Sequence, residues 1–290
     1  MLKIVEKSKI WFSISLIIII IGLGFVFTRG LNVGIDFKGG TKVVIELGEN
    51  FNKEEVDTIV KKYAPDALTN RLGETEYEIK SKDLPTDKVA ELFEELKETY
   101  SLEETAPVSE TSIGASMGKE LTKNSLIALG IACIAMLVYV MVRFETNYAI
   151  AAVFALLHDA LITLCIFAIF NIPVNTPFVA AILTIVGYSI NDTIVIFDRM
   201  RENTKSMRRA TPEVIANTSL TQTMSRSICT TLTTLIVIIS VNIFVPTVRE
   251  FSFPLIIGIA FGAYSSIFLA APIWVMLKKR SKNKNEVKVA

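Results

Sequence analysis

The chain has 290 residues, of which 51% are apolar and 20% charged, with a net charge of +1 and a mean hydropathy of +0.48. The apolar residues fall in long runs, which excludes a water-soluble protein and indicates an integral membrane protein. Cys133, Cys165 and Cys229 all lie in or beside those runs, so no disulfide framework is available elsewhere.

The first run covers residues 10–27. At ~1.5 Å per residue it is about the length needed to cross ~30 Å of hydrocarbon. Lys3, Lys7 and Lys9 precede it, as in a signal peptide, but "GFVFTRG" offers no small-x-small cleavage site. An uncleaved first span is expected.

Residues 28–123 form a long insert with 20 acidic and 13 basic residues, an acidic surface that argues against a nucleic-acid ligand. "TKVVIELG" alternates like a strand, and "NKEEVDTIVKKYA" has helical spacing with Asn52 as its N-cap. "DALTNRL" and "TEYEIKS" read as two short strands joined around Gly73. "TDKVAELFEELKETY" is a second amphipathic helix, and "LEETAPVSET" supplies a last strand. The order β-α-β-β-α-β is the split-βαβ, ferredoxin-like arrangement.

Further apolar runs cover residues 126–142, 148–170, 177–197, 228–245 and 253–277. Each must be helical, because lipid leaves unpaired backbone groups no water. The expected fold is an α-helical membrane protein with six transmembrane spans plus one α+β ferredoxin-like extracytoplasmic domain. The expected division is residues 1–28 for the N-terminus and span 1, 29–123 for the extracytoplasmic domain, 124–277 for spans 2–6, and 278–290 for a basic tail. The segment 198–225 joins spans 4 and 5. Its Thr211-Pro212-Glu213 reads as a helix start with a capping hydroxyl, and that helix is expected on the membrane surface before span 5. Lys3, Lys7, Lys9, Arg143, the basic cluster from Arg199 to Arg209 and the tail share one side; the opposite short loops carry only Arg249. Both termini are therefore expected in the cytoplasm of a multi-pass inner-membrane protein.

No Gly-rich phosphate loop and no Cys/His metal pattern is present, so enzymatic turnover, cofactors and metals are not expected. The polar residues inside the spans carry the functional signal. Residues three and four apart share a helix face. Thr184, Tyr188, Ser189 and Asp192 are expected on one stripe of span 4 with Asn191 beside it, Arg226, Thr230, Thr233 and Thr234 on one stripe of span 5, and Asp159 with Thr163 in span 3. A charge at mid-membrane costs roughly 2.5–3.5 kcal/mol on the insertion scale, and such residues commonly line ion or proton paths. Plainer readings compete: Arg226 snorkels to the interface, and Asp192 or Asp159 helps helices pack.

"LNVGIDFKGGT" after span 1, "GYSINDTIVIFDRMREN" in span 4 and "SRSICTTLTT" opening span 5 closely resemble the SecF family, the smaller membrane subunit of SecD–SecF protein-export complexes in the resistance-nodulation-division superfamily. The resemblance implies partnership with SecD and the SecYEG channel, and work on a preprotein late in export, driven by the proton-motive force or by Na⁺. It implies that Asp192 and Arg226 form the proton relay. Asp159, Ser189, Asn191, Thr230 and Thr234 are the candidates to surround that pair, and Gly34, Asp36, Gly39 and Gly40 match the family's outer-domain motif. A half-size exporter of small molecules or lipids and a passive scaffold are the alternatives.

Overall fold

The computed structural model describes residues 2–48, 51–102 and 109–289, with side chains up to Ser281 except at Ala115. Among them, six helices are long and apolar enough to cross a membrane. They contain α1 (Ser8–Arg29), α5 (Ala115–Arg143), α6 (Thr146–Ile169), α7 (Thr176–Ser206), α8 (Pro212–Phe244) and, in the last span, α9 (Arg249–Ser265) and α10 (Ala271–Val289). The last span includes a π-helical stretch at Ser266–Ala270. α6, α7 and this last span form the packed centre; α1, α5 and α8 lie around it with most of their surface uncovered.

Small residues let the central helices approach. A Cβ on Gly258 would overlap Ile185, and one on Gly262 would press on Ser189 at 3.1 Å. Two apolar clusters result. One gathers Tyr148, Phe197, Met200 and Trp274, with Tyr148 and Trp274 stacked at 5.1 Å. The other gathers Phe167, Phe178, Ile185 and Ile259. α7 runs through both, and its polar residues fall between them.

Two expectations are corrected. The helix that starts at Pro212 does not form a separate surface element: α8 is one continuous helix of 33 residues. Thr211 sits at its N-cap position in extended geometry, but its hydroxyl makes no capping bond. α7 likewise runs on to Ser206, so the 198–225 segment is two helical extensions joined by a short turn.

Between α1 and α5 the chain builds the expected α+β unit, preceded by one turn of helix, α2 (Ile35–Lys38). β1 (Gly40–Glu46), α3 (Lys53–Tyr63), β2 (Leu68–Leu72), β3 (Glu76–Ser81), α4 (Thr86–Tyr100) and β4 (Ser109–Ile113) follow. The sheet order is β2-β3-β1-β4, antiparallel throughout. Most of the segment predicted to hold the last strand lies outside the described residues; the described strand begins at Ser109. Asn52 caps α3 by accepting from the Glu54 N–H at 3.1 Å. Val43, Ile45, Tyr77 and Ile79 turn one sheet face onto Val56 and Val60 of α3 and Leu92 and Leu96 of α4. Period-2 alternation leaves Lys42, Glu78 and Lys80 on the other face.

Candidate functional site

Asp192 is 4% exposed, between α7 and α8. Its Oδ1 accepts from the Thr230 hydroxyl at 3.4 Å, and its Oδ2 from Thr231 at 3.3 Å. Both contacts are long for O–H···O bonds. The Thr230 hydroxyl has one proton and a nearer acceptor, the Arg226 carbonyl at 2.9 Å. The carboxylate is therefore buried but weakly held. Beside it, the Tyr188 hydroxyl donates to Thr234 at 2.8 Å and closes the α7–α8 seam.

Arg226 is exposed on α8, and no ion pair joins it to Asp192. Arg226 precedes Thr230 by one helical turn on α8.

Ser189 does not share the Asp192 stripe. Consecutive residues on a helix point about 100° apart, so Ser189 lies about 60° around α7 from Asp192 and faces α6 and α9 instead of α8. There it donates to Asp159 Oδ2 at 2.5 Å, and Ser265 of α9 donates to the same oxygen at 2.8 Å. His158 Nδ1 lies 3.0 Å from Oδ1, and its Nε2 lies 2.9 Å from the Ser15 hydroxyl of α1. Asp159, 1% exposed, thus anchors a separate cluster that ties α1, α6, α7 and α9 together. Ser266, the first residue of the π-helical stretch, adds a 2.7 Å contact to Thr193. Asp159 and Ser189 consequently do not surround Asp192, and Asn191 is exposed away from both sites. The expected ring shrinks to Thr230 and Thr234, with Thr231 and Tyr188 added. Thr231 went unread because it lies five residues from Arg226, off the stripe traced through Thr230, although "TTLTT" advertises adjacent hydroxyls. The consecutive serines of "AYSSIF" were a comparable signal for Ser265 and Ser266.

The glycine-rich motif sits where the α+β unit meets α7. The Gly34 N–H donates to the Val174 carbonyl at 2.8 Å, and Asp36 Oδ2 accepts from the Thr176 N–H at 2.9 Å. Gly39 and Gly40 have φ of 86° and 150°, which disfavour any side chain. A Cβ on Gly40 would also come within 2.6 Å of the Ser81 carbonyl.

The family described as "Protein export membrane protein SecD/SecF, C-terminal" matches residues 92–280, and the SecD/SecF GG motif matches residues 24–50. The chain belongs to the SecD/SecF protein-export family. Relatives named SecF match the chain over nearly their whole length. The protein translocase subunit SecF of Sebaldella termitidis is 37% identical over 97% of this chain and 93% of its own length. The protein translocase subunit SecDF of Bacillus subtilis, 35% identical, is matched over 97% of this chain and 38% of its own length. The crystal structure of SecDF from Thermus thermophilus, a translocon-associated membrane protein, superposes with a TM-score of 0.82 at 29% identity, covering 96% of this chain and 39% of that one. This SecF-family chain is a multi-pass membrane protein and an accessory subunit of the Sec translocase.

Proposed function

We propose that the chain works with SecD at the SecYEG channel and uses the proton-motive force to promote late steps of preprotein export, without catalysing a covalent reaction. In this reading the α+β domain lies outside the cytoplasmic membrane and engages the emerging preprotein, and both termini are cytoplasmic. Asp192 carries the proton and Arg226 tunes it through charge. The observation that carries the reading is the state of Asp192: a carboxylate buried inside a span, held only by two hydroxyls at 3.3 and 3.4 Å.

A cation nearby favours the ionised form and removal from water favours the neutral one, so a small shift between α7 and α8 tips the balance. One charge crossing ~100 mV releases about 2.3 kcal/mol, close to the roughly 2.5–3.5 kcal/mol cost of a charge at mid-membrane. Each proton therefore supplies enough to shift a two-state helix arrangement.

The test is preprotein release from energised membrane vesicles at matched protein levels. Asp192→Asn should assemble with SecD yet lose the gradient-dependent part of release; Arg226→Leu should impair it. Collapsing the proton gradient at constant Na⁺ separates the two coupling ions. Full gradient-dependent release by Asp192→Asn would refute the relay.

A further inference from the structure

The face of the sheet turned away from its helices is not free. Lys80 of β3 pairs with Glu250 at the start of α9, and its ammonium also lies 3.3 Å from Glu78. Glu78 reaches Lys42 at 2.7 Å. Lys80 and Glu78 keep 12% and 6% of their side-chain surface, so each depends on its partners for its charge. Burial works against the Lys80 ammonium, but Glu78 and Glu250 outweigh it and hold its pKa above the usual range. Burial likewise raises Glu78, and Lys80 and Lys42 outweigh that and hold it low.

The second oxygen of Glu250 continues the chain of contacts. It accepts from Asn175 Nδ2 at 2.6 Å, and Asn175 Oδ1 accepts from the Phe178 N–H at 3.1 Å. Asn175 is the N-cap of α7. One carboxylate thus joins a strand of the α+β domain to the capping residue of the helix that carries Asp192. Asp36 holds the Thr176 N–H of the same turn, and Val174 donates to the Asn32 carbonyl at 2.7 Å. From Thr176 the helix runs unbroken to Asp192, about 24 Å at ~1.5 Å per residue. Its neighbour α8 leaves most of its surface uncovered.

We propose that Glu250 is a positioning residue: with Lys80 and Asn175 it bolts the α+β domain to the first turn of α7, so that load on the domain is felt at Asp192. This rests on the proton-carrying reading of Asp192, whereas the bolt itself is a property of the fold. Arg249 beside it binds the Asn242 and Ile243 carbonyls, and Arg71 lines the same cleft.

Two measurements on the full chain in nanodiscs with SecD test it. The first is modification of Asp192 by a hydrophobic carbodiimide against pH, read by mass spectrometry with Asp192→Asn as blank. Lys80→Met and Glu250→Gln should change the rate at fixed pH about threefold, within the range of couplings carried by such networks. Lys80→Arg should leave it as in the wild type. Asn175→Asp keeps a capping oxygen but sets two carboxylates against each other, so it opens the bolt without losing the helix start and should act like Glu250→Gln. The second is the width of the distance distribution between spin labels at Lys88→Cys and Thr184→Cys, with the three native cysteines replaced by alanine. It should broaden in Glu250→Gln and Asn175→Asp. Unchanged modification and an unchanged width in folded, assembled Asn175→Asp overturn the proposal. If wild-type Asp192 is modified at no pH, the proton-carrying reading fails, while the width still decides whether the bolt exists.

Discussion

Asp159 and Asp192 are both buried carboxylates in the membrane region, and the structure predicts unequal losses of stability on neutralising them. Asp159 receives Ser189 at 2.5 Å, Ser265 at 2.8 Å and His158 at 3.0 Å. Hydrogen bonds to charged groups contribute about 1.5–3 kcal/mol each. Asp159→Ala strips one acceptor from three donors in a core closed to water. Ser265 recovers part of its loss through the Gly262 carbonyl at 3.1 Å. The expected net loss is therefore on the order of 3–5 kcal/mol, as for breaking a buried pair. Asp192→Asn replaces one of two acceptor oxygens, each of which receives only one long contact, at 3.4 and 3.3 Å. Thr230 can turn its hydroxyl to the Arg226 carbonyl at 2.9 Å, and an amide can still accept from Thr231. Its cost should stay below about 1 kcal/mol. Thermal unfolding in detergent, with both variants purified identically, reads the difference. Asp159→Ala should lower the midpoint by on the order of 10 °C and Asp192→Asn by little. Equal destabilisation by the two would refute the division into a structural and a working carboxylate.

Three further outcomes follow from particular contacts. Gly22→Ala should push α1 off α6, because the new methyl would sit 2.2 Å from the Cys165 Cβ and 2.8 Å from its Cα; a loss of about 1–3 kcal/mol is expected in the same assay. The α+β domain should weaken in acid through Asp57. Burial raises its pKa, but Thr69, Tyr77 and Lys53 outweigh that and hold it below 3.8, so its contribution is present above that pH and lost as pH falls through the lowered value. Asp57→Asn should flatten the acid limb of a pH–stability profile, and an unchanged limb would exclude Asp57 as its cause. A cysteine at Ser206 should resist an impermeant thiol reagent applied to intact cells, and labelling there would reverse the proposed orientation.

The sequence by itself determined the spans and the α+β unit. A membrane helix must carry its whole apolar length in one segment, and an alternating strand declares its buried face two residues at a time, so both signals are local. Asp192 was legible for the same reason, as a carboxylate inside an apolar run. Tertiary structure decided which groups meet. Ser189 and Asp192 are three residues apart on one helix, yet the turn of the helix sends one to α9 and the other to α8. Asp159 was expected beside Asp192 and instead anchors its own cluster, because its partners are His158 on its own helix and serines from two other spans. The bolt at Glu250 was invisible in the sequence: Lys80 lies 170 residues away from it, and only folding brings the sheet face onto the first turn of α9. Local patterns record how a segment meets its solvent, water or lipid; pairing between segments depends on helix rotation and depth, which packing alone sets.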